Sequence, residues 1–334
     1  MSLAIPSGIY PWQESEWKQL QTMLSNDRLP HALLLAGLKG TGLLEFSNLF
    51  ATSILCENPN ESGESCLQCA GCKLIRAETH PDLLFISPEE EWKAIKIDQI
   101  RSLVKFTQLQ SHTGKRKIII LHPAEAMNIS AANGLLKTLE EPPGDTLILL
   151  VSHHASALPI TIRSRCQKIK ISASSMHVRE WLIGKCDNNL IETVLASGCG
   201  PLFLDEIEHS EAVVADRLSL LSDLENITNG QYDPVEAAEQ WSKLELGDTL
   251  FWLIKIVQDV IKLKLTGDAN IKGNNLINED ILKRIIKLVE NIDIKGIFSF
   301  YDKLLEYQKL LSYNSSLKAL TIMEDLTLEW ERLR

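Results

Sequence analysis

Three consecutive stretches, His31-Ala-Leu-Leu-Leu-Ala36, Gly37-Leu-Lys-Gly-Thr-Gly42 and Leu43-Leu-Glu-Phe-Ser-Asn-Leu-Phe-Ala-Thr-Ser-Ile-Leu55, decide the fold class. The first is a continuous apolar run, the pattern of a strand buried on both faces of a parallel sheet. The third carries apolar residues at helical spacing. A glycine loop between them opens a nucleotide-binding α/β domain, although the Gly37 to Gly42 spacing alone would also fit an ordinary strand-to-helix turn. A working phosphate loop reads G-x-x-x-x-G-K-[ST]: backbone N–H groups cradle the phosphates, the lysine reaches the outer ones and the hydroxyl ligates magnesium. Leu43 and Leu44 stand at those two positions. Lys39 lies three positions before Gly42, inside the loop, and does not replace a lysine on the first helical turn. Gly114-Lys115 and Gly184-Lys185 are no substitute, because Leu109 and Arg179 occupy the place of the leading glycine. No intact phosphate loop is present, and no bound ATP is expected.

Outward from that stretch, 334 residues predict two or three domains with ample core. The chain is 45% hydrophobic and 23% charged, an ordinary globular composition. No apolar stretch approaches membrane-spanning length and no secretion signal opens the sequence, so the cytoplasm is the expected location. A net charge of −10 gives no whole-molecule attraction to nucleic acid, so any DNA contact would be local or shared with partners.

Of the seven cysteines, four are clustered as Cys56-x9-Cys66-x2-Cys69-x2-Cys72. Disulfides are not expected in a chain of this kind. Four thiolates are the complement of a closed, structural zinc site, which leaves no open position for catalysis. The polar, turn-forming residues 57–65 bury little by themselves, so a metal crosslink would act as a staple. His80, eight residues past Cys72, is an alternative ligand, but it reads better as a structural residue heading His80-Pro81-Asp82.

From Tyr10-Pro11-Trp12 to Cys166 these signals, with His80-Pro-Asp, Leu135-Leu-Lys-Thr-Leu-Glu-Glu-Pro-Pro143 and Ser164-Arg-Cys166, resemble the bacterial clamp-loader subunits, a branch of the AAA+ ATPases. The degenerate loop points to a member that does not hydrolyse ATP. In active members a strand ends in Asp-Glu; here Lys117-Ile-Ile-Ile-Leu121 is followed by His122-Pro123. Losing the lysine, the hydroxyl and both carboxylates removes the positioning and charge stabilisation that phosphoryl transfer depends on. The resemblance further implies that Arg165 is an arginine finger presented in trans to ATP on a neighbouring subunit, worth on the order of 10³-fold or more in rate for known fingers. A salt-bridging role for Arg165 is the plainer reading. Arg163 is the runner-up finger, since an offset of two shares a face in an extended segment.

The resemblance implies an AAA+ domain with inserted zinc module over residues 1–167, a helical lid over 168–208 and an all-α collar over 209–334. Strands are predicted near 32–36, 83–87, 117–121 and 146–151, alternating with helices in a parallel sheet. In the lid, Ser197-Gly-Cys-Gly-Pro201 lacks the nucleotide-sensing arginine of active relatives. In the collar, Leu250–Val257 and Asp280–Glu290 are amphipathic, with Asp280 a predicted N-cap. The implied partners are the tau/gamma ATPase subunits and a delta subunit, with the sliding clamp and primed DNA in the assembled complex. The chain would be non-catalytic alone but part of a DNA polymerase holoenzyme. Two rivals stand beside this reading: an ATP-binding clamp-loader subunit with an unorthodox loop, and a zinc-dependent nucleic-acid-binding module. The scarcity of basic residues between Cys56 and Cys72 counts against the second.

Overall fold

The computed structural model describes residues 8–89, 93–112, 116–204, 210–266, 278, 281–290, 292–313 and 318–333. Asp280 and the polar stretch 267–275 lie outside them. The chain divides into two compact units, one formed by Met1–His177 with Gly200–Phe203, the other by Val178–Cys199 with Leu204–Arg334.

In the first unit, five parallel strands lie in the order β2-β3-β4-β1-β5. They are β1 (Ala32–Ala36), β2 (Leu83–Ile86), β3 (Lys117–Leu121), β4 (Thr146–Ser152) and β5 (Gln167–Lys170). All residues of β1, β3 and β4 are buried, which accounts for their unbroken apolar runs. β1 pairs with β4 on one side and β5 on the other, Leu34 opposite both Leu150 and Lys168. β5 was not foreseen. Its Gln-Lys-Ile-Lys sequence buries only Ile169, and a four-residue edge strand with one apolar side chain gives no periodic signal.

Helices α1 (Glu14–Ser25), α2 (Leu43–Leu55), α3 (Ala70–Arg76), α4 (Ile97–Gln108), α5 (Ile129–Glu140) and α6 (Ile160–Arg163) connect and flank the strands. Helix α5 starts where the Asn128 side chain accepts from Ala131 N at 2.8 Å. It stops at Pro142-Pro143, since proline cannot extend the hydrogen-bond ladder. His31 Nε2 meets the Leu139 carbonyl at 2.7 Å, fixing the end of α5 to the start of β1. The His80-Pro-Asp motif is structural: Asp82 accepts from Ser111 Oγ at 3.0 Å and from His112 N at 2.8 Å.

Helix α7 (Ser175–Leu182) runs across the unit boundary, and the second unit continues with α8 (Asn188–Ser197), α9 (Ser210–Thr228), α10 (Pro234–Trp241), α11 (Leu246–Thr266), α12 (Leu282–Glu290), α13 (Ile294–Tyr313) and α14 (Ala319–Glu331). The amphipathic stripes of the sequence form its core, with Trp241, Trp252 and Trp330 each 1% exposed. Within that core lies a polar knot. Asp259 Oδ2 accepts from Asn278 N at 2.6 Å and from its Nδ2 at 2.9 Å, while Arg217 Nη2 donates to Asn278 Oδ1 at 2.8 Å. Arg217, Asp259 and Asn278 are all at least 99% buried. A buried ionic group is tolerated only when satisfied, and removing one member strands the others. Asp259→Ala should therefore lower unfolding stability by on the order of 3 kcal/mol, read from chemical denaturation followed by circular dichroism. A loss under about 1 kcal/mol would mean the knot rearranges freely.

Candidate functional site

Because the strands are parallel, the segments leaving the carboxyl ends of β1, β3 and β4 gather at one edge of the sheet, where α/β folds place ligands. The segment after β1 is the glycine loop. Gly42 caps α2 in the left-handed region at φ 71°. A Cβ on Gly37 would lie 2.4 Å from the Ile171 carbonyl oxygen, so no larger residue fits there. The glycine skeleton of a phosphate loop is therefore kept.

The chain itself occupies much of the loop's backbone. Trp12 Nε1 donates to the Thr41 carbonyl at 3.1 Å, and Gln13 Nε2 donates to the Thr41 and Gly42 carbonyls at 2.8 and 3.0 Å. From the other direction Gly200 N donates to Lys39 O at 2.7 Å and Leu202 N to Gly40 O at 2.9 Å. The two strips approach so closely that a Cβ on Gly40 would meet Phe203 N at 2.5 Å, and one on Gly200 would meet Gly40 O at 2.3 Å. Leu43 is 1% exposed and its Cδ2 would lie 3.3 Å from a Cβ on Gly37, so this side chain is folded beneath the loop and not out towards a ligand. The sequence had marked residues 197–201 only for a missing arginine. The paired glycines at 198 and 200 were the available sign of a close backbone approach.

After β3 the chain places His122, 6% exposed, and after β4 it places His153; their Nε2 atoms are 3.5 Å apart and the rings meet edge to face. Glu125 reaches the backbone of the β4 exit. Its Oε1 accepts from the backbone N–H of His153 at 3.0 Å and of His154 at 3.1 Å, tying the two strand exits together. Burial, reinforced by the neighbouring His153 and opposed by Glu125, pulls His122 down to about 4. Burial also lowers His153. The strand exits thus bring together two imidazoles whose protonation is disfavoured by burial and the carboxylate of Glu125. His153 was missed from the sequence, although a His-His pair directly after a buried strand was visible.

The four clustered cysteines converge. Their sulfurs all lie within 4.8 Å of one another, with Cys56 to Cys66 at 3.5 Å and Cys56 to Cys69 at 3.9 Å. A tetrahedral zinc–thiolate centre with bonds of about 2.3 Å needs sulfurs roughly 3.8 Å apart. Backbone N–H groups already point at three of them: Cys66 N at Cys56 Sγ (3.3 Å), Cys69 N at Cys66 Sγ (3.3 Å) and Cys72 N at Cys69 Sγ (3.4 Å). Such donors favour thiolate, and those from Gln68 and Cys69 bring Cys66 down to about 6. Burial pushes Cys56 and Cys72 up, so two ligands would shed protons on taking a metal. His80 is not in this set; its Nδ1 accepts from Asp82 N at 3.1 Å.

Arg165 lies just past α6. The expectation of an extended segment here is corrected: Ile160–Arg163 is helical and Ser164 continues at φ −73°, ψ −16°. Near-helical geometry turns side chains by roughly 200° over two residues, so Arg163 and Arg165 do not share a face. Arg163 Nε is buried and has no hydrogen-bond partner among the described residues. Arg165 Nε donates to Glu140 Oε1 at 2.7 Å, its Nη2 donates to the same oxygen, and its Nη1 donates to the Thr161 carbonyl at 2.9 Å.

Comparison with known proteins bears on these sites. Residues 12–175 match the family described as DNA polymerase III, delta subunit, and residues 212–332 match its C-terminal family. The DNA polymerase III subunit delta' of Pseudomonas aeruginosa is 33% identical over 331 residues, covering 97% of this chain and 98% of that protein. This chain belongs to the delta' family. The delta' subunit of Haemophilus influenzae is 29% identical over 267 residues, 79% of this chain and 80% of its own length. DNA polymerase III subunit tau of Bacillus subtilis is 35% identical over 156 residues, 47% of this chain and 27% of its own length. The two family matches fall on residues 12–175 and 212–332 respectively, and together they span most of the chain.

His122 predicts a pH dependence. Unfolded, the imidazole takes up its proton near 6.5, and folded only near 4, so the unfolded state binds more protons between those values. Stability is then complete above about 6.5 and falls as pH drops towards about 4, by about 3 kcal/mol from this group. Denaturation midpoints of wild type and His122→Gln across that range should converge at the acid end; parallel curves would show that His122 is not held neutral.

Proposed function

We propose that this chain is a non-hydrolysing subunit of the DNA polymerase III clamp loader, docking beside an ATPase subunit and completing its active site with Arg165. The observation that carries the first half is the loop itself: lysine and hydroxyl positions are leucine, Leu43 is buried beneath the loop, and the carbonyls of residues 39–42 accept from Trp12, Gln13, Gly200 and Leu202. A loop so engaged supports a fixed part and not one that opens and closes around nucleotide, and no ATP is assigned to it. Arg165 supports the second half by lying on the surface, 34% exposed, directly after a short helix and outside any nucleotide site of its own.

On this reading, residues 1–167 form the AAA+ domain, 168–208 the lid and 209–334 the collar. The partners are the tau/gamma ATPase subunits and the delta subunit, and the assembled machine places the sliding clamp on primed DNA as part of the polymerase holoenzyme. We assign the four sulfurs to a structural zinc ion held by Cys56, Cys66, Cys69 and Cys72, which crosslinks an excursion with little apolar burial of its own. Among the described residues no helix is long and apolar enough to cross a membrane, in keeping with work in the cytoplasm.

Two measurements test these assignments. ATP hydrolysis by reconstituted ATPase and delta subunits, with clamp and primed DNA, should rise on adding this chain and rise far less with an Arg165→Ala variant that still assembles, a difference on the order of 10²-fold or more; equal stimulation would make Arg165 a structural residue. Elemental analysis should find one zinc per chain, and chelation should speed hydrogen exchange in residues 56–72 more than in α11 or α14. A stable metal-free protein with unchanged exchange would remove the zinc assignment.

A further inference from the structure

The contact between Arg165 and Glu140 is not explained by the fold. Glu140 is the last residue of α5, where the unpaired carbonyls of the final turn gather the negative end of the helix dipole and a carboxylate is disfavoured. Glu141 follows it directly, adding a second negative charge. A carboxylate placed against this rule and 49% exposed gains nothing from burial, so its reason lies in what it touches.

It touches one residue in a particular way. Glu140 Oε1 accepts from both Nε and Nη2 of Arg165, and the Thr161 carbonyl accepts from Nη1 at 2.9 Å. Three of the five guanidinium N–H bonds are used among the described residues, which fixes the plane of the group. Glu140 is itself held, because α5 ends at Pro142 and is fastened to β1 through His31 and the Leu139 carbonyl at 2.7 Å. The line of positioning thus runs from strand β1, through the end of α5, to the guanidinium.

Resting on the reading of Arg165 as a trans-acting finger, we propose that Glu140 is its positioning residue: it orders the guanidinium before the neighbour's nucleotide arrives. A free arginine side chain loses much rotamer freedom when it meets a phosphate, and one already fixed loses less. Donors placed in advance where charge develops act on the chemical step more than on binding. Glu140 also subtracts from the positive field of Arg165, which would oppose catalysis. With both groups a third to a half exposed that cancellation is screened by water, and the geometric effect dominates.

The test uses the assembled clamp loader with wild type, Glu140→Ala, Glu140→Gln, Arg165→Ala and the double variant, with assembly checked by size exclusion and ATP hydrolysis followed against ATP concentration. Glu140→Ala should lower stimulated kcat roughly three- to tenfold with KM for ATP within about twofold. Glu140→Gln, whose amide oxygen still accepts from Nε and Nη2, should keep most of the rate, and the double variant should be no worse than Arg165→Ala alone. If Glu140→Ala fails to assemble, Glu140→Asp, which keeps the charge but withdraws the acceptor by one methylene, replaces it and should be slower than Glu140→Gln. A wild-type kcat in Glu140→Ala beside an impaired Arg165→Ala would end the positioning role and leave the finger intact. Faster hydrolysis in Glu140→Ala, or Glu140→Gln as slow as Glu140→Ala, would overturn the geometric argument, and an Arg165→Ala variant equal to wild type would remove the reading beneath it.

Discussion

Strand β1 is hydrogen-bonded on both flanks and buried along its whole length, and this double pairing sets the position of every group discussed for the sheet-bearing unit. Its carboxyl end launches the glycine loop, and its amino end is joined through His31 to the end of α5, the helix that carries Glu140. Its neighbour β4 sets His153 against His122 from β3. A parallel sheet brings all these exits to one edge whatever side chains they bear. The residues that hold the strands together are thus separate from those that line the edge.

The glycine loop is tied into the fold through its carbonyls. Backbone carbonyls near the protein interior are costly unless paired. Gln13, Trp12, Gly200 and Leu202 supply donors to four consecutive loop carbonyls. Glycine at both 40 and 200 is what permits the two strips to approach so closely. At the strand exits, Glu125 turns inward to backbone N–H groups and the two imidazoles are kept neutral by burial.

Much of this was legible in the sequence, for identifiable reasons. Strands β1, β3 and β4 announced themselves because burial on both faces favours apolar runs, and the cysteine spacing predicted a convergent sulfur cluster because a closed metal site needs four ligands. In the second unit, the stretches that lie in α11 and α12 followed from their periodicity. What stayed hidden depended on distant pairings. Gly200 against Gly40, His153 against His122 and Arg165 against Glu140 join residues separated by 160, 31 and 25 positions. Local spacing carries no information about such partners. The relation of Arg163 to Arg165 was misread because a four-residue helix is too short to show a period.

The outermost strand β5 has a further consequence. A sheet edge offers unpaired N–H and C=O groups to any other extended chain, a second copy of the same fold included. β5 is only four residues long, and Gln167, Lys168 and Lys170 are all exposed, with Ile169 alone turned inward. Short length and flanking lysines are the features that make an edge a poor template, since a second strand would have to desolvate or oppose those charges. Subunits of similar construction can then sit side by side through chosen surfaces without their sheets fusing into one another.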